Sequence, residues 1–138
     1  MYKNDYNKAL TGLSLQLNSD YPEREDLTTY LLSKIKDFIE TDFNGISENK
    51  IFRNLLITLR EMIEFSFEND ATKSYLRMVF KTINNEPFLK EFNRLMPSKE
   101  ININFLFNKL YNLFVYQDAT SSHDYRLTEI LDFLEYYK

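Results

Sequence analysis

The sequence predicts an all-α protein, a compact single-domain bundle of six or seven helices around a central apolar helix at about residues 48–68. Three observations carry that expectation. Only two glycines and three prolines occur in 138 residues, too little punctuation for a sheet with many tight turns. Apolar residues recur at steps of three and four through successive segments, the spacing of one helix face. Hydrophobic content of 43% beside 28% charged residues is enough for one packed core at this length.

Tyr6, Leu10, Leu13 and Leu17 line a first helix over roughly residues 3–18. The link NSDYPERED ends it, and Pro22 fits the first turn of a second helix whose Glu23, Glu25 and Asp26 sit near the positive end of the dipole. Leu27, Leu31, Ile35 and Phe38 form its apolar face, and Asn44-Gly45 predicts its stop, with glycine as the left-handed cap. Ser47 is a suitable N-cap for the third segment. Its stripe of Phe52, Leu56, Leu59, Ile63 and Phe67, widened by Ile51, Leu55 and Met62, marks the helix expected at the centre.

Asp70 can cap a fourth helix bearing Tyr75, Leu76, Val79, Phe80 and Ile83. Asn85 can cap a short fifth carrying Phe88, Leu89, Phe92 and Leu95 before Pro97. Ser98 can start a sixth. That segment opens ININFLF, whose alternation suits a strand as well, but helical spacing from Ile103 through Leu106, Leu110, Leu113 and Phe114 decides for helix. A seventh follows from Leu127, Ile130, Leu131 and Leu134. It ends EYYK without glycine or proline, so residues 1–138 form one domain that can also be the N-terminal part of a longer chain.

Composition narrows the chemistry. Without cysteine there is no disulfide, thiolate nucleophile or cysteine metal cluster. The N-terminus lacks the apolar core of a signal peptide, and no run of about 18 apolar residues is present to span a bilayer. A soluble cytoplasmic protein is the expectation. Abundant Asn, Ile, Lys, Tyr and Phe indicate a low-GC genome, of a bacterium, its phage, a virus or a protist, and give the 16% aromatic content a compositional origin.

The one histidine, His123, lies in LFVYQDATSSHDYRLTE, residues 113–129. Ser121 and Asp124 resemble a capping box there, which makes His123 a helix-entry residue rather than a catalyst. Adjacent Ser122, His123 and Asp124 point apart on a helix and cannot line up as a triad. The arginine that helical ribonucleases place four to six residues before histidine is missing, since Gln117, Asp118 and Ala119 stand there. No catalytic set, metal or cofactor is expected. The alternative enzyme is metal-assisted through Glu61, Glu64 and Glu68, which share a helix face; a solvated acidic face close to Arg53 and Arg60 accounts for the same spacing. Gly12 and Gly45 alone cannot build a phosphate loop.

In helix count alone the arrangement resembles the Bcl-2-like fold. The glycine–arginine groove signature is missing, because neither glycine is followed by arginine, and no membership follows.

Charge is unevenly placed. Residues 1–48 carry five basic and nine acidic side chains, 49–99 nine and six, and 100–138 three and six, which together give the net −4. Lys73, Arg77 and Lys81 stand four apart on the fourth helix, and Lys90 and Arg94 repeat the spacing on the fifth. Asp20, Glu23, Glu25 and Asp26 form the opposite pole. The function expected is non-enzymatic protein–protein interaction by an adaptor, inhibitor or immunity-type protein that masks a surface, with these nine residues as partner-binding candidates. A second copy of the chain is another possible partner, and no membrane is expected. The alternative is nucleic acid held by a helix-turn-helix-like unit at 71–96 through Lys90, Asn93 and Arg94. A pI near 5.1 and a turn without glycine weigh against it.

Overall fold

The computed structural model describes residues 2–66, 73–112, 114 and 132. Among them are six α-helices, α1 (Tyr2–Asp20), α2 (Glu25–Glu40), α3 (Glu48–Ser66), α4 (Lys73–Ile83), α5 (Glu86–Leu95) and α6 (Glu100–Tyr111), with 3₁₀ turns at Pro22–Arg24 and Pro97–Lys99. There are no strands among the described residues, so the all-α bundle is established. His123, Asp70, Phe67, Glu68 and the expected seventh helix, apart from Asp132, lie outside the described residues.

Each helix exists because its three-and-four stripe reaches the core. Tyr6, Leu10, Leu13 and Leu17 of α1 are buried, as are Leu27, Leu31, Ile35 and Phe38 of α2 and all five residues expected from α4. The wide stripe of α3 is buried from Ile51 to Ile63. α1 lies against α2, α4 and α5, while α3 packs on α2 and on the Pro97–Lys99 turn. Stacked rings join the later helices: Phe92 meets Phe107 at 5.2 Å, and Phe80 meets Phe114 at 4.9 Å, separations favourable for aromatic pairs.

Three boundaries depart from expectation for local reasons. Pro22 opens a 3₁₀ turn rather than the α-helix itself, which begins at Glu25. α2 stops at Glu40, before Asn44-Gly45: Thr41 is extended, and the Asp42 carboxylate accepts from the Asn44 amide at 2.9 Å. That Asx turn competes with the helix ladder, and it returns Phe43 to pack on Phe38 with centroids 5.3 Å apart. Gly45, at φ +79°, serves this turn rather than a helix end. Ser98 does not cap α6. Its amide and hydroxyl both donate to the Glu48 carboxylate, stapling the start of α3 to the turn before α6, and these donors hold the Glu48 carboxyl below its usual range. Ser47 does cap α3, its hydroxyl accepting from the Lys50 amide at 3.3 Å.

ININFLF resolves as helix. Ile101 is 84% exposed while Ile103 is buried, so alternate residues do not share a face there. No helix of the described residues is long and apolar enough to cross a membrane.

Candidate functional site at the first interhelical corner

α1 ends at Asp20, Tyr21 and the Pro22–Arg24 turn reverse the chain, and α2 begins at Glu25. Asp20, Glu23, Glu25 and Asp26 are therefore gathered at one corner of the molecule, all four exposed. Proline fixes the turn, and Glu25 and Asp26 occupy the first turn of α2, where carboxylates are favoured by the helix dipole. Among the described residues none of the four forms an ion pair. Arg24, the cation in their midst, also pairs with none of them, and its Nε is buried without a partner.

Beneath this corner lies Tyr75 of α4, 1% exposed. Tyr21 packs edge-on against it with centroids 5.7 Å apart. The neighbouring Thr28 hydroxyl donates to the Arg24 carbonyl at 3.2 Å, and the Tyr75 hydroxyl has no hydrogen-bond partner. Burial pushes its pKa up to about 12, so the phenol stays protonated. In the last turn of α1, the Asn18 carbonyl oxygen is likewise buried and unpartnered. Buried polar groups normally find partners; the unmet ones among the described residues are these three, on Asn18, Arg24 and Tyr75, and two on α5, on Glu91 and Asn93.

The basic candidates have a different fate. Lys90 Nζ lies 2.8 Å from Glu86 Oε1, one helical turn away, and Lys90 holds the Glu86 carboxyl below its usual range. Arg94 grips Glu91 Oε2 through Nε at 3.0 Å and Nη2 at 2.8 Å. Arg77 Nε points to the Phe114 carbonyl at 3.5 Å, and Lys81 is exposed. For Lys73 the structure places the backbone at the start of α4. Lys90 and Arg94 are thus spent within α5 instead of merging into a free basic surface, and Asn93 is half-buried rather than presented.

Glu61 and Glu64 of α3 are also engaged. Lys34 Nζ meets Glu61 at 3.2 Å, and Arg60 meets Glu64 at 3.0 Å. No group of three potential metal ligands occurs among the described residues.

The sequence reads Glu91 as an acidic neighbour that pairs with the basic residues on a solvated face; the pairing is present, with Arg94, but the carboxylate is in the core. It is fully buried, with one oxygen on Arg94 and the other unpartnered. Its place in the run Phe88, Glu91, Phe92, Leu95 was the available signal, since a carboxylate at core spacing needs a partner three or four residues away. Nearby, the buried Tyr6 hydroxyl donates to Glu40 at 3.0 Å; burial first, then Glu40, pushes its pKa up to about 12. An open groove of about 340 Å³ between α1 and α2, lined by Leu10, Leu15, Leu32 and Lys36 among others, brings together no acid–base pair.

Compared with protein-family models, with curated proteins and with solved structures, the chain shows no match.

Proposed function

We propose that the protein is a non-enzymatic interaction module, an adaptor, inhibitor or immunity-type protein that masks a surface of another protein, and that its contact surface is the acidic corner. One observation carries this reading: Asp20, Glu23, Glu25 and Asp26 are exposed with no ion pair among the described residues, whereas Lys90 and Arg94 are engaged by glutamates of their own helix. Uncompensated charge on a rigid turn favours a partner with a basic surface, because complementary fields speed encounter and exclude wrong partners. A nuclease groove has the required character. The cytoplasm of a low-GC bacterium, or of a cell infected by its phage or by a virus, is the proposed setting.

The nucleic-acid alternative draws on Lys90 and Arg94, and their glutamate partners weaken it. The metal-assisted alternative draws on Glu61 and Glu64, each of which already holds a cation.

The test is capture from the native source on the immobilised chain, with proteins identified by mass spectrometry, beside a Glu23→Lys/Asp26→Lys variant. A basic protein retained by the native chain and lost from the variant is the expected result. Equal retention by both would overturn the assignment of the corner.

A further inference from the structure

We infer that the groove between α1 and α2 is a second docking surface, independent of the acidic corner, and that it takes an acidic amphipathic helix of a partner protein.

α1 and α2 run antiparallel: a short turn joins Asp20 to Glu25, and at the far end the Tyr6 hydroxyl donates to Glu40 at 3.0 Å. Along the outer side of the pair lies the open groove of about 340 Å³, with Leu10 and Leu32 in its floor. It continues over α1 into a hollow of about 550 Å³ lined by Lys8 and Gly12. Leu15 borders both and is 68% exposed. Lys8, Gly12 and Leu15 follow at steps of four and three, so they share one face of α1. Gly12 keeps that face low, since a Cβ there would meet nothing within 4 Å. Packing inside this chain does not require a glycine at that position, and glycine weakens a helix interior relative to alanine; a helix laid across α1 gains from the closer approach.

Charge selects the occupant. Lys8 and Lys36 are the only charged groups lining the groove and the hollow, although residues 1–48 hold nine acidic side chains to five basic. Neither lysine forms an ion pair among the described residues, whereas nearby Lys34 is taken by Glu61. Both stand towards the end of the groove away from the turn, about three helical turns from the acidic corner. A helix that lays apolar side chains on Leu10, Leu15 and Leu32 and sets carboxylates beside Lys8 and Lys36 meets both features, the helix-in-groove mode of recognition. A lipid surface fits less well, because two lysines attract an anionic membrane weakly and the chain as a whole carries net −4. The helix pair then offers opposite charge at its two ends, which suits an adaptor that joins two partners.

Fluorescence anisotropy with the full chain tests this. The probe is a labelled peptide of about 18 residues, long enough to form helix, with leucine at three-and-four spacing and glutamate on the flanks. A scrambled peptide of the same composition and a peptide with lysine for glutamate are the controls. At moderate salt the probe should bind about tenfold more tightly than either control, and Leu15→Glu should cost about tenfold, the effect of one seated apolar side chain. Lys8→Glu/Lys36→Glu should abolish the preference for glutamate over lysine, its fold checked by circular dichroism. Should that double change perturb folding, Lys8→Ala alone should still reduce the preference. Glu23→Lys/Asp26→Lys should bind the probe as the native chain does, so this surface and the corner fail separately. Equal binding of probe and controls, or native affinity in Leu15→Glu, would overturn the inference. So would a dimer in sedimentation that Leu15→Glu dissociates, which gives the face to a second copy, or preferential binding to phosphatidylserine vesicles, which gives it to a membrane.

Discussion

The α1–α2 corner carries four carboxylates and one arginine, helix α5 two glutamates, a lysine and an arginine, and the two regions hold their charges in opposite ways. On α5, Glu86 and Glu91 lie four and three residues before Lys90 and Arg94, spacings that bring side chains together on a helix surface. The charges cancel locally. At the corner, Asp20 and Glu23 fall on either side of a proline turn and Glu25 and Asp26 start a new helix, so Arg24, though four residues after Asp20, shares no helix with it, and no cation follows the other three at that spacing. Arg24 is sequence-adjacent to two of them, but adjacent residues do not face each other. Local composition sets how many charges are left over, and helical register decides which of the others pair.

The largest expected effect breaks the α5 side of the comparison. Arg94→Ala would leave Glu91 buried and unpaired. Because Arg94 is about half exposed, the loss should be about 2–3 kcal/mol, below the 3–5 kcal/mol usual for a fully buried pair. Urea denaturation of this variant, and of Arg94→Ala/Glu91→Leu, measures it; the second change should recover most of the loss by removing the stranded carboxylate. If Arg94→Ala is as stable as the native protein, Glu91 is not held in the way described.

Next in size is the alkaline limb. Tyr6 and Tyr75 have folded pKa values raised to about 12 from an ordinary 10. A phenol whose folded pKa is raised stabilises the protein fully below pH 10, and the contribution is lost as pH climbs from 10 through 12. Urea midpoints measured at pH 8 and pH 11 should therefore diverge less in a Tyr6→Phe/Tyr75→Phe variant than in the native chain. An equal fall in both would assign the alkaline loss to other groups.

Much of this was legible before any coordinates, and the failures have identifiable causes. Among the described residues, every apolar stripe position from Tyr6 to Leu110 that the spacing gives to a helix core is buried or half-buried, because three-and-four spacing is dictated by helix geometry and burial follows from it. The end of α2 was misplaced because Asp42 and Phe43 redirect the chain through a side-chain bond and a ring contact, neither of which leaves a periodic mark. Ser98 reads as a cap, yet it serves Glu48, fifty residues away in sequence. The acidic corner was visible as YPERED, while the unmet acceptors beneath it depend on Tyr75 arriving from α4. The pairing of Lys90 and Arg94 was readable from spacing and counts against the basic surface inferred from charge totals.

Smaller effects sharpen the contrast. Lys90→Ala removes an exposed pair and should leave stability almost unchanged, detectable only as a slight shift of the urea midpoint. A larger loss would show that Lys90 is structural. Duplex DNA should not bind at moderate salt in a mobility-shift assay. Binding that falls steeply with salt and disappears in Lys90→Ala/Arg94→Ala would move the working surface to α5.

The most direct measurement of the central claim is the stopped-flow association rate of the captured partner with three proteins: the native chain, Glu23→Lys/Asp26→Lys, and Lys90→Ala. At low ionic strength the corner variant should associate about tenfold more slowly, with a flattened salt dependence, and Lys90→Ala should match the native chain. A native rate for the corner variant together with a slowed Lys90→Ala would contradict the account.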